Sequence, residues 1–362
     1  LFDTDLKSIK KRQFYRAAEI SMGATAAYIE RYAELAHEEA ARESDSRRRA
    51  ELERIAGICG HIAHKPPRNF YQALQLYLYP FYRRDMERGD LTEAFAAELL
   101  ENTWIKLLSV NKIRSWSHTR FSAGGPLYQN VTIGGVDIHG KDAVNDLSYL
   151  ILRTVGEMKL TQPNLSVRYH KDMSEEFLLE CVRVIEKGFG MPAFNNDEIV
   201  IDEFIKLGVS PEDARNYSAI GCIEVAVPGK WGYRCTGKHF INFMRVFLSA
   251  LNNGTDPVSG KQFCPGTGTL KDFSSYDELL AAWDKQIRYY AKAGVAIDAA
   301  VDVVLMEEGP DLICSVLVDD CLERGLTIHE GGSVYDFVSG LQVGIANLGN
   351  SLAAIKKLLF EE

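Results

Sequence analysis

The chain has 362 residues, of which 46% are hydrophobic and 25% charged, with 29 Gly and 11 Pro. Such a composition belongs to a folded globular protein and excludes disordered and collagen-like chains. Lys plus Arg number 41 and Asp plus Glu 50, a net charge of −9 that argues against broad binding to nucleic acid or anionic membrane and leaves room only for a local basic patch.

The first stretch reads as helix, because Ile9, Phe14, Ala18, Tyr32 and Ala36 recur near helical spacing among charged residues. A second helix is expected over Arg47 to Ile58. After Pro66-Pro67, Asn69 is placed to cap a helix running through Leu74 to Tyr79, and Thr92 to Leu108 follows as another. The front third, residues 1–120, is thus expected to be helical. From about residue 120 short β-prone runs appear: Tyr128 to Ile133, Asn164 to Tyr169, Pro192 to Asn195 and Ser218 to Ile220, separated by helices near 141–157 and 174–187. This alternation points to an α/β layer or barrel, in which the loops at strand ends usually carry the chemistry. A helix from His239 to Leu251, a Gly/Pro-rich turn region over Gly254 to Gly268, a long helix from Tyr276 to Arg324 ended by Gly325, and a strand-like Leu326 to His329 complete the pattern. No internal repeat or linker divides the chain, so one partial domain over residues 1–362 is expected.

No apolar run approaches the roughly 20 residues of a spanning helix, and Leu1-Phe2-Asp3-Thr4-Asp5 lacks the layout of a secretion signal, so a cytoplasmic location is expected. The seven cysteines are widely spread and never form CxxC, which argues for reduced thiols rather than a disulfide framework or zinc ribbon. Cys59, His61 and His64 lack a fourth ligand and read as a helix terminus rather than a metal site. Cys314 and Cys321, two helical turns apart, read as core packing on one helix face.

Gly221-Cys222-Ile223-Glu224 places a thiol and a carboxylate two positions apart after a short strand. By itself such a string is common, and a cysteine among apolar residues is ordinarily an inert core thiol. The surrounding sequence, from Ala214 through Tyr217-Ser218-Ala219-Ile220 to Pro228-Gly229-Lys230, resembles the cysteine loop of glycyl radical enzymes, the pyruvate formate-lyase-like superfamily. Further segments resemble that family in the same order: Tyr128 to Gly135, Gln162-Pro163-Asn164-Leu165-Ser166-Val167-Arg168, Gly190-Met191-Pro192, Gly331 to Tyr335 and Asn350 to Lys356. The resemblance runs along essentially the whole chain.

The resemblance implies part of a ten-stranded α/β barrel of the glycyl radical enzyme type, with a helical N-terminal third (1–120) and a barrel portion (121–362). It gives Cys222 the role of a thiyl radical that exchanges a hydrogen atom with substrate, and Glu224 that of the base that takes a hydroxyl proton in the eliminase branch. Hydrogen-atom transfer needs the neutral thiol, so a closed apolar setting that lifts the pKa of Cys222 is expected, and desolvation is expected to lift that of Glu224 as well. The implied cofactor is a glycyl radical, on a glycine outside this chain and installed by a radical S-adenosylmethionine activase, with no metal in the enzyme itself. Relatives are commonly homodimers. Pyruvate formate-lyase itself carries two adjacent cysteines, whereas Cys222 has Gly221 and Ile223 as neighbours, with Cys235 as a remote second thiol. Elimination is therefore preferred over formate release from a 2-keto acid.

Substrate-binding candidates are Lys230, Arg234, Thr236 and His170. The basic, aromatic run Lys230 to His239 either meets an anionic substrate or offsets Glu224 and faces solvent; both readings stand. Diol dehydratases of the family carry an acidic residue where Thr236 stands, which points away from simple diols and toward another polyol or a sugar-derived compound. His170, Asp197, His329 and Glu330 stand at strand ends, from which they can reach a cavity. The family's C-terminal Arg-Val-Ser-Gly-Tyr loop has no counterpart here, since Phe337-Val338-Ser339-Gly340-Leu341 lacks its Arg and its aromatic residue. The chain is thus expected to be a central fragment, inactive alone, with a noncatalytic protein as the competing reading.

Overall fold

The computed structural model describes residues 5–65, 78–110, 115–122, 129–232, 239–338 and 340–361. The front of the chain is helical, as expected: α1 (Leu6–Arg42) and α2 (Ser46–His64) form an antiparallel pair, followed by α3 (Leu78–Arg88), α4 (Glu93–Ser109) and α5 (Trp116–Ser122). Asp5, Asp45 and Thr92 cap α1, α2 and α4 by accepting backbone N–H bonds three residues on, filling donors that the first helical turn leaves open. His64 ends α2, with its Nε2 2.7 Å from Glu30 Oε1. The proposed cap at Asn69 lies outside the described residues.

Next come β1 (Asn130–Gly134), α6 (Asp146–Met158), β2 (Asn164–Tyr169), α7 (Glu175–Ile185) and β3 (Ala193–Asn196), and the three strands form one parallel sheet in the order β1-β2-β3. Parallel neighbours need a crossover, and the two helices supply it. A reciprocal pair of bonds between Asn145 and Ser148 starts α6, and Ser174 caps α7. Because strand side chains alternate in direction, the two faces of the sheet differ in character. Val131, Ile133, Leu165 and Val167 form the apolar face and are essentially sealed in a core with Ile151 and Val155 of α6 and Phe177 of α7. Full burial of each such side chain contributes roughly 1.5–3 kcal/mol. Trp104 of α4 closes this core and donates its indole N–H to Thr154 Oγ1 at 3.0 Å. The opposite face carries Asn130, Thr132, Asn164, Ser166 and Arg168, all polar.

The chain continues through α8 (Asp197–Lys206), α9 (Pro211–Arg215) and an antiparallel hairpin of β4 (Ser218–Ile220) and β5 (Glu224–Ala226). Two compact units emerge: residues 1–231, 312–325 and 333–335 make the first, and residues 232–311, 326–332 and 336–362 the second. The first division between them falls between Trp231 and Gly232. The second unit begins with β6 (Phe240–Asn242), α10 (Phe243–Leu251) and α11 (Tyr276–Glu308). The chain returns to the first unit as α12 (Leu312–Leu317) and α13 (Cys321–Arg324), and finishes in the second with β7 (Leu341–Val343) and α14 (Ile345–Ile355).

Three expectations change in this region. The helix expected from His239 starts at Phe243, because Phe240–Asn242 pairs in parallel with β7 and Asn242 Oδ1 caps the helix by accepting from the N–H groups of Met244 and Arg245. The long helix stops at Glu308, since Pro310 cannot continue it, and so Cys314 and Cys321 stand on separate short helices rather than on one face. Ile328–Glu330 is a 3-10 turn and not a strand, closed by a Thr327–Glu330 capping box in which Glu330 Oε2 accepts the Thr327 N–H at 2.9 Å.

Candidate active site

The β4–β5 hairpin lies against the polar face of the sheet. At its base, Thr132 Oγ1 accepts the Ala219 N–H at 3.1 Å and the Ser218 hydroxyl at 3.0 Å, while Arg168 Nη1 donates to the Tyr217 carbonyl at 3.2 Å. The strands register Ile220 against Glu224, leaving Gly221, Cys222 and Ile223 as the connecting turn. Gly221 adopts a φ of 55°, in the left-handed region that glycine enters without penalty. A Cβ on Gly221 would also lie 2.9 Å from Glu224 Oε2.

The geometry of this turn joins the two residues expected to do the chemistry. Glu224 Oε2 accepts the backbone N–H of Cys222 at 2.9 Å and that of Ile223 at 3.2 Å, so the carboxylate is tied to the peptide that carries the thiol. Glu224 is half-buried. Its second oxygen, Oε1, makes no hydrogen bond among the described residues and remains a competent acceptor. Cys222 is exposed in this chain, at the tip of the hairpin. Cys181 and Cys321 show the opposite environment, where burial pushes the thiols up to about 12 and about 11.

The remaining candidates are not gathered at this turn. His170 follows the C-terminal end of β2, whereas the turn meets the N-terminal end at Asn164, about 20 Å away at roughly 3.3 Å per strand residue. It is buried, with Nε2 3.2 Å from Asp142 Oδ1, and this position removes it from the Cys222 site. Lys230 lies beyond the far end of β5 from the turn, where its Nζ donates to Asp213 Oδ1 at 2.7 Å. The other Asp213 oxygen accepts the Tyr335 hydroxyl at 2.7 Å. Burial of Asp213 works against its charge, but the hydrogen bonds from Lys230, Tyr335 and Ser210 outweigh it and hold the carboxyl below the usual range. Lys230 is raised, chiefly by the Asp213 bond. Its charge is therefore matched inside the protein. Arg234 and Thr236, with Cys235, lie outside the described residues.

Asp197 proves to be a structural anchor. It accepts Arg168 Nε at 2.9 Å and Nη2 at 2.8 Å, the Tyr217 hydroxyl at 2.7 Å and the Val136 N–H at 2.9 Å. Burial, above all, drives the Tyr217 hydroxyl upward in pKa. His329 and Glu330 belong to the second unit, where Glu330 closes its own turn. Sequence reasoning assigned no role to Asn130 and Asn164, yet both side chains reach the turn carbonyls; polar residues alternating with buried apolar ones in two strands were the available signal. Among the described residues no group of three or more His, Cys, Asp or Glu is placed to hold a metal ion, and no helix is long and apolar enough to cross a membrane.

With this site in view, comparison with known proteins gives the class. The family described as "Pyruvate formate lyase-like" matches residues 1–78 and 76–362, and the chain belongs to that family. It is 55% identical over 389 residues to "Probable dehydratase YbiW" of Escherichia coli (strain K12), covering 99% of this chain and 48% of that protein. It is 33% identical over 396 residues to trans-4-hydroxy-L-proline dehydratase of Clostridioides difficile, covering 100% and 49%. The solved structure of the glycerol-bound B12-independent glycerol dehydratase from Clostridium butyricum superposes with a TM-score of 0.82 at 35% identity, covering 100% of this chain and 48% of the other. The chain spans about half the length of these relatives. Its α/β fold with a helical N-terminal region is that of the glycyl radical enzymes.

Proposed function

We propose that the chain is the thiol-bearing part of a glycyl radical lyase that eliminates water or a related leaving group from a small hydroxylated substrate, with Cys222 as hydrogen-atom carrier and Glu224 as base. The observation that carries this reading is the tie between Glu224 Oε2 and the N–H groups of Cys222 and Ile223, which fixes thiol and carboxylate on one short turn. The names of the relatives, dehydratases of hydroxyproline and glycerol, support the same class of substrate.

A thiol at an exposed hairpin tip fits a partner group that approaches it from another segment; a sealed thiol such as Cys181 would not. The glycyl radical supplies a hydrogen-atom acceptor for the Cys222 thiol. Cys222 Sγ, as thiyl, then takes the hydrogen from the substrate carbon that bears a hydroxyl, and the S–H bond re-forms. Glu224 Oε1 accepts the proton of that hydroxyl, and the resulting ketyl expels the neighbouring hydroxide, which leaves as water with the proton held at Oε1. The Cys222 S–H returns its hydrogen atom to the product radical, giving a carbonyl compound and restoring the thiyl. Atoms balance as diol to carbonyl compound plus water. Radical formate release is disfavoured because Gly221 and Ile223, not a second cysteine, flank Cys222. A radical S-adenosylmethionine activase, a cytoplasmic setting and a homodimer complete the proposal.

The test uses the full-length protein, charged anaerobically by its activase and quantified by electron paramagnetic resonance. Its products are then analysed with propane-1,2-diol, glycerol and 2-keto acids. Carbonyl products formed with loss of water, abolished in Cys222→Ser and cut roughly 10²- to 10⁴-fold in Glu224→Gln, are the expected result. Formate with an acyl product, or full activity in Cys222→Ser, overturns it.

A further inference from the structure

We propose that Asn130 and Asn164 form a clamp that positions the Cys222 thiol by holding the carbonyls of its turn. Register brings the two residues side by side, Asn130 against Asn164, at the start of β1 and β2. Asn130 Nδ2 donates to the Cys222 carbonyl at 3.2 Å and approaches that of Gly221 at 3.5 Å; Asn164 Nδ2 donates to the same two oxygens at 3.2 and 3.1 Å. Each amide is itself oriented. Asn130, completely buried, also donates to Ser166 Oγ at 3.0 Å, and Asn164 Oδ1 accepts from Gln162 Nε2 at 3.3 Å. The C=O groups on one side of the turn are thus bound by the sheet, while the N–H groups of Cys222 and Ile223 are bound by Glu224.

A purely structural role would put such bonds where they hold the hairpin to the sheet. That docking is already provided at the base by Thr132 and Arg168. The asparagine pair touches only the tip, where the thiol stands. A rigid tip is what hydrogen-atom transfer requires, because misplacing a reacting group by about 1 Å can cost on the order of 10²-fold in rate. Asparagine suits the task because its amide offers two N–H donors for carbonyls together with an oxygen by which a neighbour can orient it.

The inference rests on the reading of Cys222 as the hydrogen-atom carrier, and the experiment separates the two. In the full-length, radical-charged protein, Asn130→Ala and Asn164→Ala are each expected to lower kcat about 10-fold and together about 100-fold per radical, with KM within twofold. Propane-1,2-diol with deuterium at both hydroxyl-bearing carbons should show a larger primary isotope effect on kcat in the variants. A merely destabilised protein would lose active molecules and keep the wild-type isotope effect, which would overturn the clamp. Asn164→Asp, equal in size but without the N–H donors, should match Asn164→Ala; wild-type behaviour there also overturns it. A crystal structure of the double variant supplies an arm that needs no substrate: a tip displaced by more than about 1 Å with the Thr132–Ala219 bond intact supports the clamp, and an unmoved tip refutes it. If Cys222→Ser keeps its activity, the reading of the site fails, whatever the asparagine variants do.

Discussion

Replacing Gly221 with Ala tests the turn where conformation and chemistry meet. The φ of 55° costs an L-residue about 1–2 kcal/mol, and the new methyl would sit 2.9 Å from Glu224 Oε2. The carboxylate must then swing away from the Cys222 and Ile223 N–H groups, each such bond to a charged acceptor being worth about 1.5–3 kcal/mol. Gly229 provides the matched control, since it has a φ of 76° but nothing within 4 Å of where an alanine methyl would stand, so Gly229→Ala carries the backbone strain alone. At about 2–4 °C per kcal/mol, the control should lower the melting midpoint by roughly 2–8 °C and Gly221→Ala by more. Differential scanning calorimetry of both variants, paired with turnover of the radical-charged full-length protein, gives the comparison. Gly221→Ala should also lose on the order of 10²-fold in kcat, whereas Gly229→Ala keeps its rate. Equal midpoints for the two variants, with wild-type turnover in Gly221→Ala, would refute the claim that this glycine makes room for the carboxylate.

Asp197→Ala should destabilise the first unit by about 3–5 kcal/mol in urea unfolding, because it strands the Arg168 guanidinium, whose side chain is only 8% exposed. Iodoacetamide at pH 8, followed by peptide mass spectrometry, should label Cys222 in the native chain and spare Cys181 and Cys321, whose thiols burial holds at about 12 and about 11. The Lys230–Asp213 pair should stabilise between two pH edges. Asp213 is lowered from 3.8, so its contribution is present above that value and is lost as pH falls through the lower folded value. Lys230 is raised from 10.5, so its contribution is complete below that value and is lost as pH rises through the higher folded one. Melting curves of Lys230→Met across pH 2–12 should converge with wild type outside both edges; a constant offset across the range would contradict the pairing.

Elements with local signals were legible in the sequence. β2 appears where the alternation of Asn164 to Tyr169 places it, and Ser218 to Ile220 is likewise a strand. Capping residues at Thr92 and Ser174 mark helix starts that need no tertiary information. What the sequence hid depends on distant partners: β6 and β7 are three residues each and exist through pairing across about a hundred positions. Cys222 and Glu224 were singled out by the family resemblance of the sequence around them, since their spacing alone is common. The pairing of Lys230 with Asp213 and of His170 with Asp142 was hidden from the sequence, because a charge's partner is a fact of folding rather than of neighbouring sequence.

The hairpin meets the parallel sheet mainly through side chains of the sheet and main chain of the hairpin, with the Ser218–Thr132 hydroxyl pair as a side-chain contact on both. Alignment between the two is therefore written in a few positions of β1 and β2, and none of those positions is 222, 223 or 224. Substitutions at those few strand positions would shift the whole tip at once, whereas the rest of the sheet can vary without moving it.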